Sequence, residues 1–297
     1  MDADPAAEPE GFLVTADDGT KLHFHDWGGP DGADAGVLLL PGILQPAWSW
    51  APVARRLRGL ARTVVADLRG QGLSDAPMEG YDLPTLGADA VTVADGAGLA
   101  GRVLVAGHGF GGQVAAHAAL ALGDRSAGLV LVDGGFERLE ETTDLDVEEF
   151  LRGLDEPPEV LGSLEAWLAD RRGFDPATWD ADQDRAARDA VVETAAGHVV
   201  KAVRPHVVEA MVRSMFDEDP AMVLAAVDAP ITILIAGAAP ELEARTREAT
   251  RCAETRVAIG GSGIDVVVVP RVGHNLMRYA PEVVGAAILA LGAPARR

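Results

Sequence analysis

The chain has 297 residues, of which 48% are hydrophobic and 24% charged, a composition typical of a globular protein with a sizeable core. Its 46 acidic and 25 basic side chains give a formal net charge of -21, so we expect nucleic acid and anionic membrane surfaces to be excluded as partners. The single cysteine, Cys252, excludes an internal disulfide and a cysteine-rich zinc site, and with no leader-like or membrane-spanning apolar run a cytoplasmic protein is expected.

The predicted elements start after an acidic, Pro/Ala-rich stretch at residues 1–10, which we interpret as a disordered tail. An Asp-Gly step at Asp18 and Gly19 favours a tight turn between two short apolar runs, and so predicts an antiparallel hairpin. Continuous β-branched runs then alternate with helical patterns, which predicts an α/β fold built on a parallel sheet. The strand runs are residues 37–40, 63–66, 102–105, 128–132, 231–235 and 264–269, and the helical patterns are residues 50–60, 83–99, 111–122, 241–254 and 281–291.

Residues 136–220 interrupt this alternation. The segment carries no strand-like run, is divided into short helical stretches by prolines and glycines, and contains 22 acidic against nine basic side chains. We therefore predict a solvated helical cap at residues 136–220, with residues 11–135 and 221–297 forming the core domain.

Four sequence motifs lie at the ends of predicted strands. In the motif around Gly109, glycines on both sides of this residue permit a sharp turn that presents it above the sheet. The motifs are Leu40-Pro41-Gly42-Ile43, the stretch from Asp67 to Asp75, Gly107-His108-Gly109-Phe110-Gly111-Gly112, and Gly273-His274-Asn275.

These four motifs, in this order, resemble the α/β-hydrolase superfamily, and more narrowly its cap-bearing branch of esterases, epoxide hydrolases, haloalkane dehalogenases and cofactor-free haloperoxidases. The resemblance covers residues 12–291. It implies an eight-stranded, mostly parallel sheet flanked by helices and a small-molecule substrate or ligand. We expect no cofactor and no metal, and the oligomeric state is left open.

The nucleophile position of this family is occupied here by Gly109, where the family normally has Ser, Asp or Cys. Glycine has no heteroatom to attack a substrate, so the covalent acyl- or alkyl-enzyme route is closed. A side chain at this turn is held in a strained conformation that costs about 1–3 kcal/mol, and glycine relieves much of that strain.

The resemblance places the catalytic base at His274, in the loop after the eighth strand. Such a base needs a carboxylate on its second ring nitrogen. The usual acid position corresponds to Pro240, which cannot serve. We prefer Asp133, at the end of the sixth strand, and keep the neighbouring Glu241 as the alternative acid.

The surroundings of this base complete the prediction. The backbone amides of Ile43 and Phe110 would form an oxyanion hole, for which no particular side chain is required. His108, beside the turn, is interpreted as a packed structural residue that borders the substrate site.

Four further residues are candidates for substrate binding. Trp48 and Trp50 resemble aromatic residues at the mouth of a cap-covered pocket, and cap-to-core packing explains them equally well. Met211 and Met215 lie on one stripe of a cap helix, which we interpret first as core and second as pocket lining.

Three hypotheses about function follow. The first is an enzyme that acts on a small, largely apolar organic substrate by His274 acid–base chemistry, through water activation, elimination, isomerisation or cyclisation. The second is an inactive relative that binds a ligand or a partner. The third is a nucleophile-to-glycine variant of an ordinary ester or epoxide hydrolase. The missing acid at Pro240 weakens the third hypothesis, and the intact Gly273-His274 step weakens the second.

Overall fold

A computed structural model describes residues 8–30 and 35–292. Its strands are Glu10–Thr15 (β1), Lys21–Asp26 (β2), Ala35–Leu40 (β3), Thr63–Ala66 (β4), Arg102–His108 (β5), Ser126–Val132 (β6), Val191–Glu193 (β7), Val199–Lys201 (β8), Ile231–Ala236 (β9) and Ile264–Val269 (β10). Its helices are Ala51–Leu57 (α1), Leu83–Gly96 (α2), Phe110–Leu122 (α3), Leu139–Thr143 (α4), Val147–Gly153 (α5), Leu164–Gly173 (α6), Ala181–Asp189 (α7), Pro205–Phe216 (α8), Pro220–Ala226 (α9), Leu242–Ala258 (α10), Leu276–Tyr279 (α11) and Pro281–Gly292 (α12).

Eight of the strands form one sheet in the order β1-β2-β4-β3-β5-β6-β9-β10. The first hairpin, β1 with β2, is antiparallel, and β2 also runs antiparallel to β4. The other neighbours in the sheet pair in parallel. The predicted α/β fold with a mostly parallel eight-stranded sheet is therefore confirmed.

The sheet is covered by helices on both faces, which explains why its strands read as continuous apolar runs. Along β3, Leu38 and Leu40 pack into one core cluster with α2 and α3, whereas Val37 and Leu39 pack into another with α1 and α12. Because successive side chains of a strand point to opposite faces, a strand buried on both sides needs apolar residues at every position.

The segment between β6 and β9 contains α4 to α9 together with β7 and β8, so it is not purely helical as the sequence suggested. The strands β7 and β8 pair antiparallel around a turn at Gly197, whose φ is 81°. Each strand has only three residues, too short to stand out as a strand-like run in the sequence. Five buried residues, Trp167, Leu168, Ala187, Val191 and Val199, give this segment a small core of its own.

The expected tail at residues 1–10 lies largely outside the described residues, which begin at residue 8. Glu10 already belongs to β1, and Glu8 pairs with Arg55 at 3.5 Å and with Arg185 of α7. Residues 8–10 are thus part of the fold, so the predicted boundary was too late. Across the described ranges, no helix is long and apolar enough to cross a membrane.

Candidate functional site

A sharp turn joins β5 to α3 and sets the floor of the site. Gly109 forms the turn with φ 53° and ψ −121°, a region that side-chain-bearing residues rarely adopt. The flanking glycines are required for space, because a Cβ at Gly107 would lie 1.9 Å from the Gly111 carbonyl oxygen and one at Gly111 would lie 2.3 Å from that of Pro41. At Gly109 a Cβ would meet only the His274 ring, at 3.6 Å from Nε2 and 3.7 Å from Cε1. The space beside Gly109 could therefore hold a side-chain atom without a steric clash.

His274 faces this open position from the loop between β10 and α11. Its Nδ1 lies 2.6 Å from Asp133 Oδ2. The His274 side chain is 59% exposed, whereas that of Asp133 is 1% exposed. The buried carboxylate thus fixes one ring nitrogen and leaves Nε2 directed toward Gly109, the arrangement that a general base requires.

Asp133 is the residue that immediately follows β6, and its backbone has a positive φ of 50°. Its Oδ1 accepts hydrogen bonds from the Ala236 amide at 2.6 Å and from an Arg245 guanidinium nitrogen at 2.7 Å. Burial alone would raise the pKa of Asp133, but the His274 hydrogen bond and the Arg245 charge outweigh it and hold the pKa below its usual value. The carboxylate is therefore ionised at neutral pH.

Of the two carboxylates considered from the sequence, only Asp133 contacts His274. Glu241 is exposed at the residue before α10, and it borders the same cavity without a hydrogen bond to the histidine. Arg245, on α10, was not foreseen: it bridges Asp133 and Glu137, with Nε 2.7 Å from Glu137 Oε1. Nothing in the sequence of α10 distinguishes this arginine from its neighbours at similar spacing.

The amides of Ile43 and Phe110 border the same space. The amides beside Ile43 are occupied, Gly42 N by Gln45 Oε1 at 3.1 Å and Leu44 N by Gln71 Oε1 at 2.5 Å. Neither Ile43 N nor Phe110 N has an acceptor among the described residues. Free amides at the first residue of a helix and in the opposite loop can stabilise a developing oxyanion.

His108 is buried beneath His274, with ring centroids 4.4 Å apart. Its Nδ1 lies 2.9 Å from Gln45 Oε1 and its Nε2 lies 3.1 Å from the His274 carbonyl oxygen. Burial lowers the pKa of His108 to about 3, so the ring is neutral and its single N–H can donate to only one of these two oxygens. Its contacts tie the His274 loop to the turn at Gly109.

Three of the four remaining candidates do not border the cavities near His274. Trp50 is fully buried in the core, and Trp48 packs against the rings of His25 and Trp27, with Arg185 of α7 stacked on it at 4.8 Å. Both tryptophans therefore serve packing, between α7 and the sheet domain in the case of Trp48. Met211 is fully buried in the main core, and only Met215 reaches the cavity.

Two adjoining cavities open on His274. One, of about 750 Å³, lies over Gly109 and includes Phe110 and Met215. The other, of about 460 Å³, lies between α6, α7 and the core. They share a wall formed by Ile43, Gln45, Arg171, Gly273, His274 and Asn275. The histidine thus stands at their junction.

Comparison with known proteins supports this description. Residues 37–287 match the model of the family described as "Alpha/beta hydrolase family". A crystal structure of E-2-(acetamidomethylene)succinate hydrolase superposes with a TM-score of 0.78 over 95% of this chain and 98% of that one, at 21% identity. At that identity the superposition shows the fold alone.

Curated relatives match over shorter stretches. The chain is 33% identical over 125 residues to a non-heme chloroperoxidase of Streptomyces lividans, covering 40% of this chain and 43% of the relative. It is 34% identical over 114 residues to epoxide hydrolase 4 of Mus musculus, covering 38% and 31%. It is 37% identical over 116 residues to N-formylmaleamate deformylase of Pseudomonas putida, covering 39% and 42%. Each match spans less than half of the relative's length.

Proposed function

We propose a function from one premise: the chain belongs to the alpha/beta hydrolase family. The proposed activity is hydrolysis of a small acyl substrate by water that His274 activates directly, with no covalent intermediate. The observation that carries the proposal is the orientation of His274, whose Nδ1 is bound to a buried, ionised Asp133 while its Nε2 faces the open position at Gly109.

The reaction starts with a water molecule between Gly109 and His274. Nε2 takes a proton from this water as its oxygen forms a bond to the carbonyl carbon, and the electrons of the carbonyl double bond move to its oxygen. The Ile43 and Phe110 amides bind that oxyanion. When the carbonyl re-forms, the bond to the leaving group breaks, and the leaving group takes the proton from Nε2. The Asp133 carboxylate stabilises the imidazolium between the two proton transfers.

Two features support a hydrolytic reaction. The partly matching relatives include an epoxide hydrolase and a deformylase by name. The amides of Ile43 and Phe110 have no acceptor among the described residues, which suits a reaction that develops negative charge on oxygen.

The proposal is tested by combining a serine-directed fluorophosphonate probe with the kinetics of 4-nitrophenyl acetate hydrolysis. The wild-type chain is expected to resist labelling and to release nitrophenol without an initial burst. Gly109→Ser should become labelled and show a burst, because the new hydroxyl would lie beside His274 and the two amides. Adding His274→Ala should remove both properties.

Stoichiometric labelling of another serine in the wild-type chain would contradict the proposed site. Turnover by Gly109→Ser alone, with an inactive wild-type chain, would instead favour the hypothesis of an inactive relative or an altered hydrolase. A folded Gly109→Ser protein with neither labelling nor turnover would show that His274 is not poised for hydrolysis.

A further inference from the structure

The smaller of the two cavities has an unusual charge for its location. Its lining contains three cationic side chains, Arg171 on α6, Lys201 on β8 and Arg278 on α11, and a single carboxylate, Glu156. The chain as a whole carries -21, and residues 136–220 contain 22 acidic and only nine basic side chains. Cations therefore gather at this cavity against the trend of the surrounding sequence.

Two of these cations have no carboxylate partner among the described residues. Arg278 donates from Nε to Thr178 Oγ1 at 2.7 Å and from a terminal nitrogen to the Asp175 carbonyl oxygen at 2.6 Å. Lys201 donates to the Leu154 carbonyl oxygen. Neutral acceptors hold both side chains in place and leave their charge uncompensated.

Three buried polar atoms on the same lining have no hydrogen-bond partner within residues 8–30 and 35–292. They are Arg171 Nε, Gln183 Nε2 and Ser49 Oγ, and the Gln183 residue is only 9% exposed. The guanidinium of Arg171 is stacked on the Trp167 ring at 4.2 Å, and one terminal nitrogen lies 2.6 Å from Glu156 and 2.8 Å from Asp170, so its orientation is fixed and its Nε is left as the unpartnered donor. Nε and Nε2 can only donate. These two buried donors therefore lack a hydrogen-bond acceptor, which a bound ligand could supply.

We propose that the substrate carries a carboxylate that binds in this cavity through Arg171 and Gln183, in the field of Lys201 and Arg278. This inference rests on the proposed function, and it replaces the largely apolar substrate expected from the sequence. Because Arg171 and His274 border both cavities, one small molecule can place its carboxylate here and its acyl group over Gly109. A carboxylate supplies acceptors and negative charge together.

Binding is tested without turnover, by isothermal titration of His274→Gln, a chain without the proposed base, with a matched pair of probes. Monomethyl glutarate carries one carboxylate and one ester, whereas dimethyl glutarate has the same skeleton and no charge. We expect saturable binding of the monoester and at least tenfold weaker binding of the diester. Equal affinities, or no saturable binding of either probe, would overturn the inference.

Variants in the same background locate the carboxylate. Arg171→Gln should weaken monoester binding at least tenfold, as expected for the loss of a charge-assisted hydrogen bond. The matched control is Arg188→Gln on the exposed side of α7, which removes the same charge and should change binding less than twofold. A loss in Arg188→Gln as large as that in Arg171→Gln would show that only overall charge matters.

The variant Gln183→Met distinguishes a role of Gln183 in binding from a role in folding. It removes a buried donor that has no partner in the part of the chain that the structure describes, so it should weaken monoester binding at least threefold while the melting temperature stays equal or rises. A lower melting temperature with unchanged binding would assign Gln183 a structural role and overturn its part in the site. Binding without any wild-type turnover would contradict the proposed function alone, and turnover without carboxylate preference would contradict this inference alone.

Discussion

Two histidine–aspartate pairs of this protein are built alike and differ in their surroundings. His274 Nδ1 lies 2.6 Å from Asp133, and His23 Nδ1 lies 2.8 Å from Asp67. Asp133 directly follows β6, and Asp67 directly follows β4, which pairs in parallel with β3. Both aspartates also accept backbone amides: Ala236 N for Asp133, and Ala47 N and Leu73 N for Asp67.

The two pairs differ in the surroundings of the second ring nitrogen of the histidine. The His23 side chain is 8% exposed and lies under β1, so that a Cβ added at Gly11 would come within 3.0 Å of its Nε2. The His274 side chain is 59% exposed, and its Nε2 faces the room over Gly109. A hydrogen bond to aspartate orients a histidine in both places, but only an open second nitrogen can exchange protons with a substrate.

The comparison predicts its largest effect at His274. His274→Gln should lower the rate of 4-nitrophenyl acetate hydrolysis by about 10²–10⁴-fold, the range for loss of a general acid–base group. Because the side chain is mostly exposed, we expect the melting temperature to change by less than about 2 °C. Initial rates and thermal unfolding of the same preparation measure both. A rate loss below threefold would remove His274 from the mechanism.

The buried pair should respond in the opposite way. Asp67→Asn replaces a carboxylate that accepts from His23, Ala47 and Leu73, so it should reduce the free energy of unfolding by about 2–3 kcal/mol and leave the rate of the folded protein unchanged. Denaturant unfolding measures the loss. The control is Asp75→Asn in the same loop, where an exposed carboxylate accepts from Lys21 N and the loss should be smaller than about 0.5 kcal/mol. Similar losses in both variants would break the comparison.

The sequence was sufficient for the sheet and for the loops at its strand ends. Apolar β-branched runs such as residues 63–66 match β4 to the residue, because a strand buried on both faces leaves a continuous pattern. The family motifs likewise directed attention to Gly109 and His274. The short β7–β8 hairpin left no such pattern, since its two strands have three residues each.

The sequence was insufficient for contacts made across the fold. Arg245 reaches Asp133 from 112 positions away, and Gln45 contacts His108 across 63 positions. Neither contact has a local pattern that marks it. The role of Trp48 could not be predicted from the sequence either, because an aromatic residue near a pocket can pack against the protein or bind a ligand. Its contacts with His25, Trp27 and Arg185 show that it packs against the protein.

Each pair also has a buried companion histidine, and these companions provide the smallest predicted effect. His25 lies beside His23, with ring centroids 5.0 Å apart, and its Nδ1 has no partner in the described part of the chain. Burial lowers the pKa of His25 to about 4, against 6.5 for an ordinary histidine. His108, the companion of His274, has its pKa lowered to about 3 by burial. Both rings are thus neutral in the folded protein well below pH 6.5.

A lowered histidine pKa makes stability depend on pH in a definite direction. Between pH 6.5 and 4 the unfolded chain binds a proton at residue 25 that the folded chain does not, so acidification favours unfolding across this window and stability is complete only above it. His25→Phe keeps an aromatic ring against Trp48 and removes the titration. Relative to their values at pH 7.5, the wild-type free energy of unfolding at pH 5 should therefore fall by about 2 kcal/mol more than that of the variant. Urea unfolding of both proteins at the two pH values measures this difference. Equal losses of stability in the wild type and the variant would mean that His25 binds its proton as readily in the folded chain as in the unfolded chain, and would contradict the lowered pKa of His25.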